Sequence, residues 1–348
     1  MTVRTPSRLR SILPSALGAV ITVTVLLGIW RSTLPPTAQF LTGASGPVSA
    51  PVWEGGAWYW LESAGAPASR LVRFTAGVSK PIALAPGLAA FGVGEGKIAW
   101  ATASGSQWTI QRAATDGAAQ ATIWTGDLKP QSIAISEHRI FWIVKGPGLA
   151  PNCGPFAPLG SRIQVMAAPL EGGPATVVSE VTEPLPRQIL GAHGGVVYFT
   201  VSRAGLQTVT VIYRCPSSGG PATRVAAETA DQEALLTHDG TLYWTGASRE
   251  AAQPERATCV RRLAADGRIE SLQDWMPFAG SLYESNGRIY YIGGGTGIPD
   301  AWIIGGDDPL PKQAPMPEGF AGLAAGAGEL LCESTSARDV RLYRVALP

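Results

Sequence analysis

Charge is scarce in this chain. Only 15% of its 348 residues are Asp, Glu, Lys or Arg, and 27 basic residues against 26 acidic ones leave a formal net charge of +1. A protein that grips nucleic acid needs a basic surplus to neutralise phosphates, and no RNP, zinc-finger or helix-turn-helix signature compensates for the lack, so no nucleic acid is expected as a partner. Catalytic motifs are missing too: GxSxG, HExxH and the EF-hand spacing occur nowhere. FGVGEGKIAW, residues 91–100, looks like a phosphate loop but has Ile98 where Ser or Thr would hold magnesium, and it leads into a strand pattern. It reads as a turn.

Cysteine is equally sparse. Cys153, Cys215, Cys259 and Cys332 lie far apart with no CxxC, which argues against a zinc site. In an oxidising compartment their even number allows two disulfides, in any of three pairings. No cofactor is expected.

Glycine, proline and tryptophan are abundant, at 42, 28 and 11 residues. That composition, with so little charge, favours many short strands and turns over solvated helices. The N-terminus differs from the rest. Arg4, Arg8 and Arg10 precede an uncharged run that lasts until Arg31, and residues 12–30 would span roughly 28 Å as a helix at about 1.5 Å per residue. The run is long for a signal peptide and RSTLPPTAQF is a poor cleavage context, so it reads as an uncleaved signal-anchor. The three arginines hold the N-terminus inside and leave the remaining chain outside the cytoplasmic membrane, on its periplasmic or extracellular side. The expected domains are a basic cytoplasmic stretch at 1–11, a transmembrane helix at 12–30, a linker with a candidate ring-closing strand at 31–50, and the folded unit at 51–348.

That unit is repetitive. GAWYW, GKIAW, HRIFW, GVVYF, GTLYW, GRIYY and GELLC end on Trp60, Trp100, Trp142, Phe199, Trp244, Tyr291 and Cys332, spaced by 40, 42, 57, 45, 47 and 41 residues. A period of this size belongs to a propeller blade. An apolar alternating run leads into each turn, the aromatic strand follows, and two further strands close the unit, with GG and DG turns supplying the hairpins. The expected fold is all-β, a seven-bladed propeller of four-stranded antiparallel blades, with an aromatic anchor between each pair of blades. The seventh unit lacks a fourth strand, and residues 37–48 could supply it from the N-terminal side.

PQSIAISEHRIFWIV, RIQVMAAPLEGGPATVVSE and LTHDGTLYWTG resemble the repeat of bacterial YWTD-like propellers, related to the low-density-lipoprotein-receptor type, and of TolB-like propellers. Tyr243, Trp244 and Thr245 match the first three letters of that tetrapeptide and Gly246 departs at the fourth; the seven units also exceed the six blades of the YWTD type. Such families are mostly binding or scaffolding modules, so the resemblance implies no enzyme.

Blade geometry turns the repeat into a candidate site. His138, His193 and His238 all fall in the turns between first and second strands, at positions that are not equivalent, and they read as turn residues without a shared metal. His238 and Asp239, side by side, likewise read as part of a hairpin turn. At the opposite face, eleven and twelve residues before the anchors, units three to five carry Pro130 and Gln131, Arg187 and Gln188, Gln232 and Glu233, where the other units have small or apolar residues such as Ala89 and Gly280. Long insertions at residues 145–161 and 246–258, with Phe156 and Leu159 in the first, flank the same side. The expected binding residues are therefore Gln131, Arg187, Gln188, Gln232 and Glu233, with Arg187 receiving an acidic group of an unidentified protein or small ligand. The plainer reading is that they only solvate a channel mouth. The expected function is a membrane-anchored, non-catalytic binding or assembly module. The alternative is an envelope enzyme, a hydrolase or lyase on polysaccharide or peptide, with Glu233 as base and Arg187 as electrostatic stabiliser.

Overall fold

The computed structural model describes residues 38–44, 46–63, 68–148, 160–203, 209–229, 233–247, 257–277, 280–295, 298–304, 312–314, 320–334 and 340–347. The expected transmembrane segment at 12–30 lies outside them, and no helix among the described residues is long and apolar enough to cross a membrane. Seven four-stranded antiparallel sheets follow one another along the chain. Blades one to six comprise residues 48–86, 90–126, 130–183, 185–229, 234–277 and 280–314, each laid down in sequence order.

Tight turns explain the regularity. In the first hairpin of blade two, Glu95 and Gly96 both adopt positive φ, at 53° and 71°, which matches the twist of the flanking strands. The phosphate-loop lookalike is thus a hairpin, joining Ala90–Gly94 to Lys97–Ser104.

Packing follows from alternation on the second strands. Trp60, Trp100, Trp142, Phe199, Trp244, Tyr291 and Cys332 are all buried, at 1% exposure or less. Each packs against the preceding blade: Trp100 with Tyr59 and Leu71 of blade one, Trp244 with Tyr198 and Ile212 of blade four. The residue one step earlier points the other way. Phe141 joins the core between blades three and four while its neighbour Trp142 joins the core between two and three. A period of two therefore gives every blade one aromatic or aliphatic face for each neighbour.

Blade seven is built from both ends of the chain. Its strands Phe320–Gly326, Glu329–Ser334 and Arg341–Ala346 are completed by Gln39–Gly43, which pairs antiparallel with the last of them. Phe40 meets Tyr343 edge-on at 5.6 Å, Leu41 packs into the core between blades seven and one, and Gln39 accepts a hydrogen bond from Arg344 at 3.0 Å. Deleting residues 37–48 removes this strand and exposes the edge it covers. A loss of several kcal/mol, at about 2 °C each, is expected to lower the melting temperature by on the order of 10 °C; an unchanged melting curve would show that the ring closes without it.

The cysteines correct one expectation. Cys215, Cys259 and Cys332 are unbridged and buried on strands of blades four, five and seven, while Cys153 lies outside the described residues. Their thiols fill interior space: Cys215 sits between blades three and four, Cys332 between six and seven, each behaving as a small apolar side chain. Burial pushes the Cys215 thiol from 9.0 up to about 11 and that of Cys332 up to about 12. Because the folded value is raised, the stability linked to these thiols is complete below the unfolded value and falls as pH rises through the folded one. In the native protein at mildly alkaline pH, the three thiols are expected to resist an alkylating reagent and to react once denaturant is added, with peptide mass mapping as the readout. Rapid labelling of any of the three before unfolding would contradict their placement.

Candidate functional site

The seven inner strands enclose a channel of about 1180 Å³ along the propeller axis. Glycine sets its shape where blades two and three converge. A Cβ on Gly92 would lie 2.6 Å from the carbonyl oxygen of Ile133, and one on Gly94 would lie 2.7 Å from that of Ile135, so only glycine lets these strands approach so closely. Side-chain oxygens then stitch blade three to blade four. Ser132 Oγ accepts from the amide of Ile189 at 3.2 Å, and Ser136 Oγ from that of Ala192 at 2.8 Å.

Inner strands start at one end of the channel and reach their hairpin turns at the other, so the lining residues fall into a proximal and a distal group. The distal end carries Glu54, His193, His238 and Glu284. Burial raises the Glu54 carboxyl above its ordinary value, offset in part by His238 and reinforced by Glu95. The amide of His238 donates to Glu284 at 2.8 Å, and that of His138 to Glu95 at 3.1 Å. These carboxylates tie neighbouring turns together. Asp239 is occupied locally: its Oδ1 accepts from the Thr237 hydroxyl and from the Thr241 amide at 3.0 Å, contacts that lower its carboxyl. Gly240 follows at φ 85°, and a Cβ there would lie 2.1 Å from the His193 ring. The adjacent His238 and Asp239 are therefore turn structure. Among the described residues no three His, Cys, Asp or Glu side chains converge to hold a metal ion.

Gln131, Arg187, Gln188 and Glu233 line the proximal part, contributed by three consecutive blades. Gln232 lies outside the described residues, as do Phe156 and Leu159. Arg187 Nη1 donates to the hydroxyl of the buried Thr210 at 2.6 Å. A second arginine on the same blade, Arg203, is committed elsewhere: its guanidinium makes two hydrogen bonds, at 3.1 and 2.6 Å, to the buried carboxylate of Glu183, which also accepts from Tyr213. Glu233 is held through its backbone. Its amide donates to Thr245 Oγ1 at 3.1 Å and its carbonyl accepts from the Thr245 amide at 3.0 Å, so the residue after the Trp244 anchor fixes it.

Two lining residues escaped the sequence reading. Tyr283 spans to blade seven, donating to the carbonyl of Leu323 at 2.6 Å, and its hydroxyl is raised chiefly by burial and further by Glu233 nearby. Ser281 lies two residues before it. The alternation of Ser281 and Tyr283 against buried Leu282 was the available signal. Across the channel, blades seven, one and two present Val48, Val52, Phe91, Val93 and Leu323. The channel thus has a polar wall and a mainly apolar one.

No protein-family model matches the chain, and no curated protein matches it by sequence. Solved structures do. An acylaminoacyl peptidase from Pyrococcus horikoshii is similar over 88% of this chain, with a TM-score of 0.61 at 15% identity. This chain spans about half the length of that peptidase, 52%. The β-propeller domain of the trilobed protease from Pyrococcus furiosus is matched over 94% of its length, with a TM-score of 0.59 at 12% identity. An oligogalacturonate lyase in complex with manganese is matched over 97% of its length and 90% of this chain, with a TM-score of 0.62 at 11% identity. Identities this low show the shared propeller fold and nothing finer. The expectation of a non-catalytic binding module, which rested on resemblance to binding propellers, is not borne out by these structures. Most of these similar structures are peptidases, with a lyase among them.

Proposed function

We propose that the chain is an envelope enzyme that breaks an acidic polysaccharide by elimination at the proximal end of the channel. One observation carries this reading. Glu233 is the only carboxylate among the described residues that lines the proximal part, and it shares that part with Arg187 on the adjoining blade. Hydrolysis of a glycoside ordinarily uses two carboxyl groups flanking the bond. Elimination needs less: one base to remove a proton beside a carboxylate, and one cation to hold the charge that develops.

Glu233 takes the proton from the carbon next to the substrate carboxylate. The electron pair left behind forms a carbon–carbon double bond, the bond to the glycosidic oxygen breaks, and the departing alkoxide takes a proton from water. Arg187 pairs with the substrate carboxylate, whose charge grows as the proton leaves. A lyase of similar fold that acts on oligogalacturonate, matched along nearly its whole length, supports the substrate class. The apolar wall of Val48, Val52 and Leu323 offers a surface to the carbon–hydrogen face of a sugar ring.

Residues 12–30 anchor the propeller outside the cytoplasmic membrane in this reading, a proposal supported by the uncharged run and the arginines before it. The Tyr243-Trp244-Thr245 repeat supports kinship with YWTD-like or TolB-like propellers, extended to seven blades.

The test is to incubate the purified full-length chain with a panel of uronic-acid oligosaccharides and follow ultraviolet absorbance of the conjugated alkene. Absorbance should rise with at least one of them; none rising with any would overturn the proposal.

A further inference from the structure

We infer that Trp108 and Lys129 form a second sugar subsite on the proximal rim, outside the channel, which takes a uronic-acid residue beyond the bond that breaks. The inference rests on the enzymatic reading above and extends its site along the substrate chain. Trp108 lies near the start of Gln107–Ala114, the third strand of blade two, just after the hairpin from Lys97–Ser104. Hairpins between first and second strands sit at the distal end, so this next one opens on the proximal face. Lys129 reaches the same face as the residue before the inner strand Pro130–Ser136 of blade three, two positions ahead of Gln131 in the channel wall. Its ammonium stands over the Trp108 ring, 5.5 Å from the centroid.

The neighbours of the indole leave it open. In register, Trp108 is flanked by Ala103 on the second strand and Gly126 on the fourth, so no bulky side chain stands beside it in its own sheet. It is half-buried, whereas Ile110, two residues further along the same face, is buried in the core between blades two and three. The ring therefore carries that apolar face past the core and up to the surface, where it offers a flat platform to the carbon–hydrogen face of a sugar. Lys129 is exposed, and among the described residues its ammonium makes no hydrogen bond or ion pair; Asp127, exposed two positions earlier, does not engage it. Three donors on a flexible stem remain for an anion. In water the ring holds an exposed ammonium only weakly, so the carboxylate of a sugar laid on the indole draws the cation to itself. Platform and cation together select a uronate over a neutral hexose.

Chain length is the readout. In the full-length protein, calorimetric binding is measured for the dimer, which fills only the channel, and the octamer of each uronic acid in the cleavage panel. The wild type should bind an octamer about tenfold more tightly than its dimer, the gain of one further stacked residue. Trp108→Ala should lose that gain and leave dimer binding unchanged, while Trp108→Phe should keep most of it. Lys129→Gln should weaken octamer binding by about threefold at low salt and leave it unchanged at high salt, as expected of an exposed charge pair. Melting temperature reports the fold; should W108A melt below the wild type, the exposed Lys129 supplies the same comparison. A wild type that binds the octamer no better than the dimer, or a W108A chain that keeps the gain, would overturn the inference. Ultraviolet absorbance separates it from the underlying reading. If oligosaccharide is cleaved while W108A keeps the octamer gain, only the subsite fails; if nothing is cleaved yet W108A loses the gain, the reaction fails and the sugar subsite stands.

Discussion

Trp244→Ala is expected to destabilise the protein by about 3 to 5 kcal/mol, the range for truncating a buried tryptophan. The side chain is 1% exposed and sits in a cluster drawn from two blades, with Tyr198, Ile212 and Ala226 on one side and Ala234 and Leu242 on the other. Alanine would leave a cavity at an interface that strands cannot close, because both backbones are fixed by their own sheets. Denaturant unfolding at constant m-value measures the loss. Val78→Ala provides the contrast: at 63% exposure on an outer strand, it should stay within about 0.5 kcal/mol of the wild type. A Trp244 variant as mild as that one would remove the anchor role from the account. The effect should reach the site as well, since Thr245 follows the anchor and holds both backbone groups of Glu233.

Glu233→Gln should leave the fold intact and lower kcat by about 10²- to 10⁴-fold, the usual contribution of a positioned general base. Its backbone, not its side chain, makes the contacts to Thr245, so the amide replacement preserves them. Gln cannot take the proton. KM should change little, because in the proposed reaction the substrate carboxylate pairs with Arg187 and not with residue 233. Retained turnover in this variant would assign the base to another group, with Tyr283 the nearest candidate in the channel.

Much of the architecture is legible in the sequence because propeller blades are local. Each hairpin joins neighbours in sequence, and the recurring apolar and aromatic positions mark the second strand of every unit. Trp60 through Cys332 could be aligned on that pattern alone, and all seven are buried between blades. Gln131, Arg187, Gln188 and Glu233, taken from two adjacent positions counted back from the anchors, all line one cavity. What stayed hidden depends on contacts across sequence. Nothing in the spacing of four cysteines reveals that Cys215 and Cys332 face different interior surfaces. The Arg187 to Thr210 contact joins the first and third strands of a blade, and Tyr283 reaches blade seven from blade six. Function was the least legible of all. The repeat resembles that of binding propellers, whereas the solved structures of similar fold are mostly enzymes.

Elimination and hydrolysis leave different marks on oxygen. In heavy-oxygen water, the full-length chain acting on a uronic-acid oligosaccharide should release two products with no solvent oxygen in either, one of them bearing the new double bond. Heavy oxygen in a product would mean hydrolysis, and with no cleavage at all the channel would hold no enzyme of this class.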